Sequence, residues 1–194
     1  MKIRVVGQDP SMNNWGLFAA DIDLDGDCKV IPIELKVVTN LKKDIKGNKT
    51  VRRSVLDLER TRDLHRAVHA FIAKHKPSFT MIEVPHGSQS ATAMKAYGIC
   101  LGILGSQTVP MIQLTEQECK LHALGKKSGT KAEAIDYAMS RYPDAGWKMR
   151  KSKGQFVSVD GYNEHAADAL IALEAGMYTD QFINAVAMAT AMSA

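Results

Sequence analysis

The sequence predicts an α/β fold, a mixed five-stranded sheet with helices on both faces. Three observations predict it. The first 39 residues hold three strand-like runs joined by turn residues. Between residues 54 and 114, helical patterns alternate with short apolar runs of strand length. Beyond residue 130, helical patterns dominate. An antiparallel meander followed by β-α units gives a sheet with both antiparallel and parallel neighbours.

Each element has a local reason. Residues 2–9 (KIRVVGQD) are rich in β-branched residues and end at Asp9, before Pro10, as a strand would. Asn13 and Asn14 signal a turn into a second strand over 15–23. The Asp-Gly pair at 25–26 favours a hairpin into a third strand over 28–39. The basic stretch 42–53 reads as a loop, after which Ser54 caps a helix. Val55, Leu58, Leu64, Val68, Phe71 and Ile72 fall on or near one face of that helix, and Pro77 stops it. Residues 79–84 (FTMIEV) form an apolar run broken only by Glu83, the pattern of a buried parallel strand with a polar residue near its C-terminal end. A helix over 90–105 follows. Its Gly98 and Gly102 clear one face, for close packing on the sheet or for a dimer contact.

Residues 110–114 (PMIQL) are the fifth strand. Thr115 with Glu118, and Thr130 with Glu133, are capping boxes that open two helices, the first ended by Gly125 and the second running to about 142. Residues 143–162 read as a basic, glycine-bearing connection, followed by a helix near 163–175 ended by Gly176 and an Ala/Met-rich helix over 180–192. The order βββ-α-β-α-β-α-α-α is that of the ribonuclease H-like fold. At 194 residues and 45% apolar content, the expectation is a single domain over 1–194.

Composition excludes several classes. No apolar run reaches the roughly 18–20 residues of a membrane span. The first residues carry a charge at every second position, unlike a signal peptide. Cys28, Cys100 and Cys119 are odd in number and lack CxxC spacing, which argues against a disulfide framework or a zinc finger and for a reducing cytoplasm. There is no Walker A loop, no GxGxxG after a strand and no GxSxG, so no nucleotide cofactor or serine triad is expected. The net charge is only +4, but 14 of the 25 Lys and Arg lie in three groups. These are Lys42, Lys43, Lys46, Lys49, Arg52 and Arg53; Lys148, Arg150, Lys151 and Lys153; and Lys120, Lys126, Lys127 and Lys131. Any one group alone reads more readily as a solvated loop. Together they point to a polyanion such as nucleic acid.

Asp9 and Glu83 fall at the C-terminal ends of strands that would be neighbours, where open α/β sheets place their sites. Two carboxylates with no adjacent cation repel one another. A hard divalent ion relieves this, and oxygen ligands select Mg²⁺, with Mn²⁺ as a substitute. Singly, Asp9 could be a turn residue and Glu83 a satisfied buried acid. A third element is Glu164-His165-Ala166-Ala167-Asp168. On a helix His165 and Asp168 share a face, and the two alanines let the helix lie close to a sheet. Acids favoured at a helix start would explain Glu164 but not His165. Acids on two strand ends and a late helix can hold two metals for an in-line phosphoryl displacement.

These residues resemble the RuvC-type Holliday-junction resolvases. The resemblance is carried by Gly7-Gln8-Asp9-Pro10-Ser11 with Gly16, by Ile82-Glu83, by Ala91 through Gly102, and by His165-Ala166-Ala167-Asp168-Ala169-Leu170, in order along nearly the whole chain. It implies a metal-dependent endonuclease that cuts branched DNA as a homodimer, with Asp9, Glu83, His165 and Asp168 as the metal-binding groups. Many members carry Asp where His165 stands, so His165 is a ligand or a base. It further implies two active-site lysines, matched by Lys120 and Lys131 with the family's eleven-residue separation. A Lys beside the scissile phosphate would stabilise transition-state charge. In the bacterial branch a Phe used as a wedge at the junction stands three residues after the strand-four Glu. Here His86 takes that place and becomes a candidate DNA contact. The stretches 42–53 and 143–162 look like insertions relative to compact members, and Pro-His-Gly-Ser-Gln-Ser at 85–90 resembles phage-encoded ones. The alternatives are ribonuclease H-like cutting of RNA–DNA hybrids and a catalytically weak junction-binding protein. An actin-like ATP-binding reading would want a second phosphate hairpin and roughly 350 residues.

Overall fold

A computed structural model of the chain describes residues 1–25, 27–40, 52–84, 87 and 89–193. In order, the elements are β1 (Lys2–Asp9), β2 (Asn14–Asp23), β3 (Lys29–Thr39), α1 (Arg53–His75), β4 (Phe79–Glu83), α2 (Ala91–Gly105), β5 (Met111–Leu114), α3 (Glu116–Leu124), α4 (Lys131–Arg141), β6 (Met149–Ser152), β7 (Gln155–Ser158), α5 (Asp160–Gly176) and α6 (Asp180–Ser193). The main sheet has the order β3-β2-β1-β4-β5, and β6 and β7 form a separate two-stranded ribbon. β1 to β3 pair antiparallel, whereas β4 runs parallel to both β1 and β5. This is the mixed five-stranded α/β sheet of the ribonuclease H-like fold.

The period-two alternation of strand side chains divides the core between the two faces. Val6, Leu17, Ala19 and Ile82 pack with Leu64, Val68 and Phe71 of α1 and with Ile103 and Leu104 of α2. Val5, Phe18, Ala20 and Met81 pack on the other face with residues of α3, α4, α5 and α6. Successive residues such as Val5 and Val6 therefore serve opposite cores, which is why these strands read as nearly continuous apolar runs. Among the described residues no helix is long and apolar enough to cross a membrane.

α5 lies directly on β1 and β2. A Cβ at Gly7 would sit 2.0 Å from the Ala169 carbonyl oxygen, and one at Gly16 would sit 1.9 Å from that of His165. Only glycine admits this backbone-to-backbone approach. Gly7 and Gly16 thus set how near His165 and Asp168 come to the end of β1.

Several local expectations are revised. α1 starts one residue before Ser54, behind Arg52, and with no side-chain cap. α5 starts at Asp160, so Glu164 lies in its second turn, where the helix dipole no longer accounts for it. The connection 143–162 contains the β6–β7 ribbon. A Cβ on Gly98 or Gly102 would meet nothing within 4 Å, so these glycines do not serve packing on the sheet. Of the first basic group, Lys42, Lys43, Lys46 and Lys49 lie outside the described residues, as does His86.

Candidate active site

β1 and β4 pair with Gln8 beside Ile82, so the next residue on each, Asp9 and Glu83, ends its strand next to the other. α5 crosses this edge and brings His165 and Asp168 to it. His165 Nδ1 lies 2.5 Å from Asp9 Oδ2. Burial pulls the His165 pKa down, but the hydrogen bond and charge of Asp9 outweigh it and hold the imidazole above its usual value.

The carboxylates strain against one another. Burial, and then the charges of Asp9 and Glu116, push Glu83 up to about 7. Burial, followed by the charges of Asp9, Glu83 and Glu164, holds Asp168 well above the ordinary range. Two acids raised partly by their own neighbours mark a place short of positive charge.

Two lysines reach the same place because their helices are fixed at the start. In α3, Thr115 Oγ1 accepts from Glu118 N (3.2 Å) and Glu118 Oε2 accepts from Thr115 N (2.7 Å). In α4, Thr130 and Glu133 repeat the reciprocal pair at the same distances. Lys120 follows one turn into α3, and Lys131 is the first residue of α4. Both line a cleft of about 420 Å³ together with Glu83, Glu116, Cys119, Glu164 and Asp168. Lys120 pairs with Glu116, and Lys131 pairs with Glu164 at 2.5 Å. The wall that α4 provides is braced from behind. Buried Glu174 of α5 accepts from Tyr137 (2.8 Å), Tyr142 (2.7 Å) and Arg141 Nε (2.9 Å).

The structure therefore brings Asp9, Glu83, His165, Asp168, Lys120 and Lys131 to one edge of the sheet. The other predicted contacts lie around it. Lys126 pairs with Glu133 at 2.5 Å, and Lys127 is exposed. Lys148, Arg150, Lys151 and Lys153 are exposed on and beside the β6–β7 ribbon. Arg52 is exposed just ahead of α1.

Sequence reasoning missed three contributors. Glu164 and Glu116 hold the two lysines in the cleft. The i,i+4 spacing of Glu116 and Lys120 was a readable signal, but the approach of Lys131 to Glu164 is purely tertiary. Gln8, fully buried beside Asp9, accepts from Trp15 Nε1 (3.2 Å) and donates to Gln107 Oε1 (2.9 Å). It ties the end of β1 to Gln107, two residues beyond α2.

The donor set has the chemistry of a hard divalent cation site: three acids, one imidazole and raised carboxyl pKa values. As the side chains stand, with Asp9 turned to His165, no three His, Cys, Asp or Glu among the described residues converge to hold one ion.

No protein-family model matches the chain, and no curated protein sequence does either. Solved structures do. RuvC of T. thermophilus, in complex with a Holliday junction substrate, aligns at a TM-score of 0.60 and 17% identity over 90% of this chain and 96% of that one. The fowlpox virus resolvase, solved with substrate Holliday junction DNA, aligns at 0.52 and 11% identity over 89% and 96%. The yeast mitochondrial Holliday junction resolvase Ydc2 aligns at 0.50 and 12% identity over 94% and 86%. The resemblance read from the motifs thus holds at the level of the fold, which is that of the RuvC-type resolvases.

Proposed function

We propose that this chain is a divalent-metal-dependent endonuclease that cuts branched DNA, resolving four-way junctions as a homodimer of single-domain subunits. The observation that carries the reading is the convergence of three acids and two lysines where β1 and β4 end, in a fold shared over about nine tenths of the chain with junction resolvases. Asp9, Glu83 and Asp168 would hold Mg²⁺, or Mn²⁺ in its place, with His165 as a further ligand or a base. When bound, such a cation lowers the pKa of water and neutralises charge developing on a phosphate.

The chain's own residues supply the rest. Asp9 occupies His165 Nδ1, which leaves only Nε2 to meet a cation, a proton or a phosphate. Lys120 and Lys131 carry the donors nearest to a phosphate entering the cleft, and their acidic partners Glu116 and Glu164 keep them extended towards it. Lys126, Lys127 and the cations of 42–53 and 148–153 would hold flanking phosphates and set orientation. The open glycine face at Gly98 and Gly102 is the proposed dimer contact.

One gel tests the reading. The protein is offered a four-way junction, a fork, a linear duplex and an RNA–DNA hybrid, with and without Mg²⁺. Cutting confined to branched DNA and dependent on Mg²⁺ is expected. Cutting of the hybrid alone would replace the resolvase reading with a ribonuclease one. Asp9→Asn and Glu83→Gln should abolish cutting yet leave junction binding in Ca²⁺ nearly intact, because each removes a ligand without removing a phosphate-contacting cation. A variant retaining more than a few percent of the parent rate would sink the assignment.

A further inference from the structure

The β6–β7 ribbon presents a combination found nowhere else among the described residues. Lys153 (φ 47°) and Gly154 (φ 84°) both take positive φ. They form a two-residue turn that matches the twist of the strands and fixes their register. That register sets Lys151 opposite Phe156 and Met149 opposite Ser158, so Met149, Lys151 and Phe156 share one face. Phe156 is 73% exposed and Met149 41% exposed. Residues 148–158 contain four cations and no acid. None of Lys148, Arg150, Lys151 and Lys153 pairs with an acid among the described residues, unlike Lys120, Lys126 and Lys131.

A ribbon of two four-residue strands is marginal alone, so something must hold it. Asn163 does. It is fully buried, its Oδ1 accepts from Lys148 N (3.0 Å), and its Nδ2 donates to Lys148 O (2.9 Å) and Ser158 Oγ (2.9 Å). One side chain thus clamps both strands of the ribbon at its open base. Lys148 Nζ adds a contact 4.8 Å from the Tyr162 ring. Asn163 stands two residues before His165, so the ribbon is anchored to the helix that carries His165 and Asp168.

A rigidly based, uniformly cationic ribbon that carries a phenylalanine in water matches one partner chemistry: phosphate backbones beside an unstacked base. Aromatic rings stack on bases without sequence preference, and cations follow the backbone. A continuous duplex offers few unstacked bases, whereas a branch point offers several. We propose that Phe156 stacks on a base exposed at the branch point while Lys148, Arg150, Lys151 and Lys153 hold the adjoining strands. This rests on the branched-DNA reading above and adds a selectivity residue to it.

The test compares the parent protein with Phe156→Ala and Phe156→Tyr in Ca²⁺, binding a four-way junction and a linear duplex of the same sequence. Phe156→Ala should lose about 5- to 100-fold in junction affinity. Its duplex affinity and its salt slope should match the parent's, and Phe156→Tyr should restore junction binding. Since Phe156 buries little, thermal stability should not change. Equal junction affinity in Phe156→Ala and parent would overturn the proposal. So would an equal loss on both DNAs, or a shift of oligomeric state in light scattering, which would make the ribbon a protein contact. A parent that neither prefers nor cuts junctions would instead bring down the nuclease reading. Intact junction cutting with an indifferent Phe156→Ala brings down this inference alone.

Discussion

Glu83 ends a buried strand beside Asp9, and burial followed by that neighbour's charge lifts it from 4.5 to about 7. Between those values the folded state keeps a proton that the unfolded chain has lost, so stability falls as pH rises through this window. The fall attributable to Glu83 is about 3 kcal/mol. Urea unfolding at a series of pH values, in EDTA, should show it. Glu83→Gln should remove this share and reduce, without abolishing, the part due to Asp168, which is raised by burial and then by Asp9, Glu83 and Glu164. Mg²⁺ should flatten the profile by stabilising the ionised acids. A profile indifferent to Glu83→Gln would mean that the acid is hydrated rather than buried. Lys120→Ala and Lys131→Ala make a second prediction at this scale. A donor aimed at developing charge is worth roughly 10²–10³ in rate, whereas one phosphate contact among many changes affinity little. Single-turnover cutting should fall far more than binding, and an equal fall in both would demote the lysines to ordinary phosphate contacts. The places of Asp9 and Glu83 were legible in the sequence because strand ends fix them, whereas Lys120 and Lys131 were singled out for the site only through the family resemblance. Glu164 as the partner of Lys131 was not legible, since that pair exists only once α4 and α5 pack.

At the scale of elements, local chemistry governed what could be read. The capping boxes at Thr115 and Thr130 fix α3 and α4 with short-range hydrogen bonds, and both helices start where those residues put them. The ribbon escaped notice because MRKS and QFVS lack clear alternation and their turn is Lys-Gly rather than Asn-Gly. It is held by Asn163, fifteen residues from one of its anchor points. The close seat of α5 was suggested by Ala166 and Ala167, yet its tightest contacts lie on the sheet side, at Gly7 and Gly16. Gly16→Ala should therefore act on function through the element it displaces. Its Cβ would fall 1.9 Å from a backbone oxygen, which cannot swing aside as a side chain would. The expected cost is about 1–3 kcal/mol or more. Because α5 must move, and His165 and Asp168 with it, cutting should fall further than the folded fraction measured by circular dichroism. A Gly16→Ala protein that cuts at the parent rate would show that α5 can shift without disturbing the acids.

For the whole molecule, charge placement matters more than charge total. A net charge of +4 on 194 residues provides little general attraction to DNA. Around the cleft the cations are already compensated, with Lys120, Lys126 and Lys131 each paired to a glutamate. If the chain binds DNA as proposed, attraction would then come from segments rich in cations and poor in acids. The stretch 42–53, with six cations and one acid, is the longest of these. If about three of the six meet phosphates, each releases about 0.9 counterions from duplex DNA. Changing Lys42, Lys43, Lys46, Lys49, Arg52 and Arg53 to neutral residues should then flatten the log–log salt dependence of binding by about 2–3 units. The loss should fall mainly on the junction. The stretch joins β3, at the sheet edge opposite β5, to α1, and two copies in a dimer would serve two arms. The measurement is affinity against salt concentration in Ca²⁺, for junction and linear duplex in parallel. An equal loss on both DNAs would mean non-specific backbone contact. An unchanged slope would mean that the stretch is a solvated surface, leaving the β6–β7 ribbon as the main cationic arm.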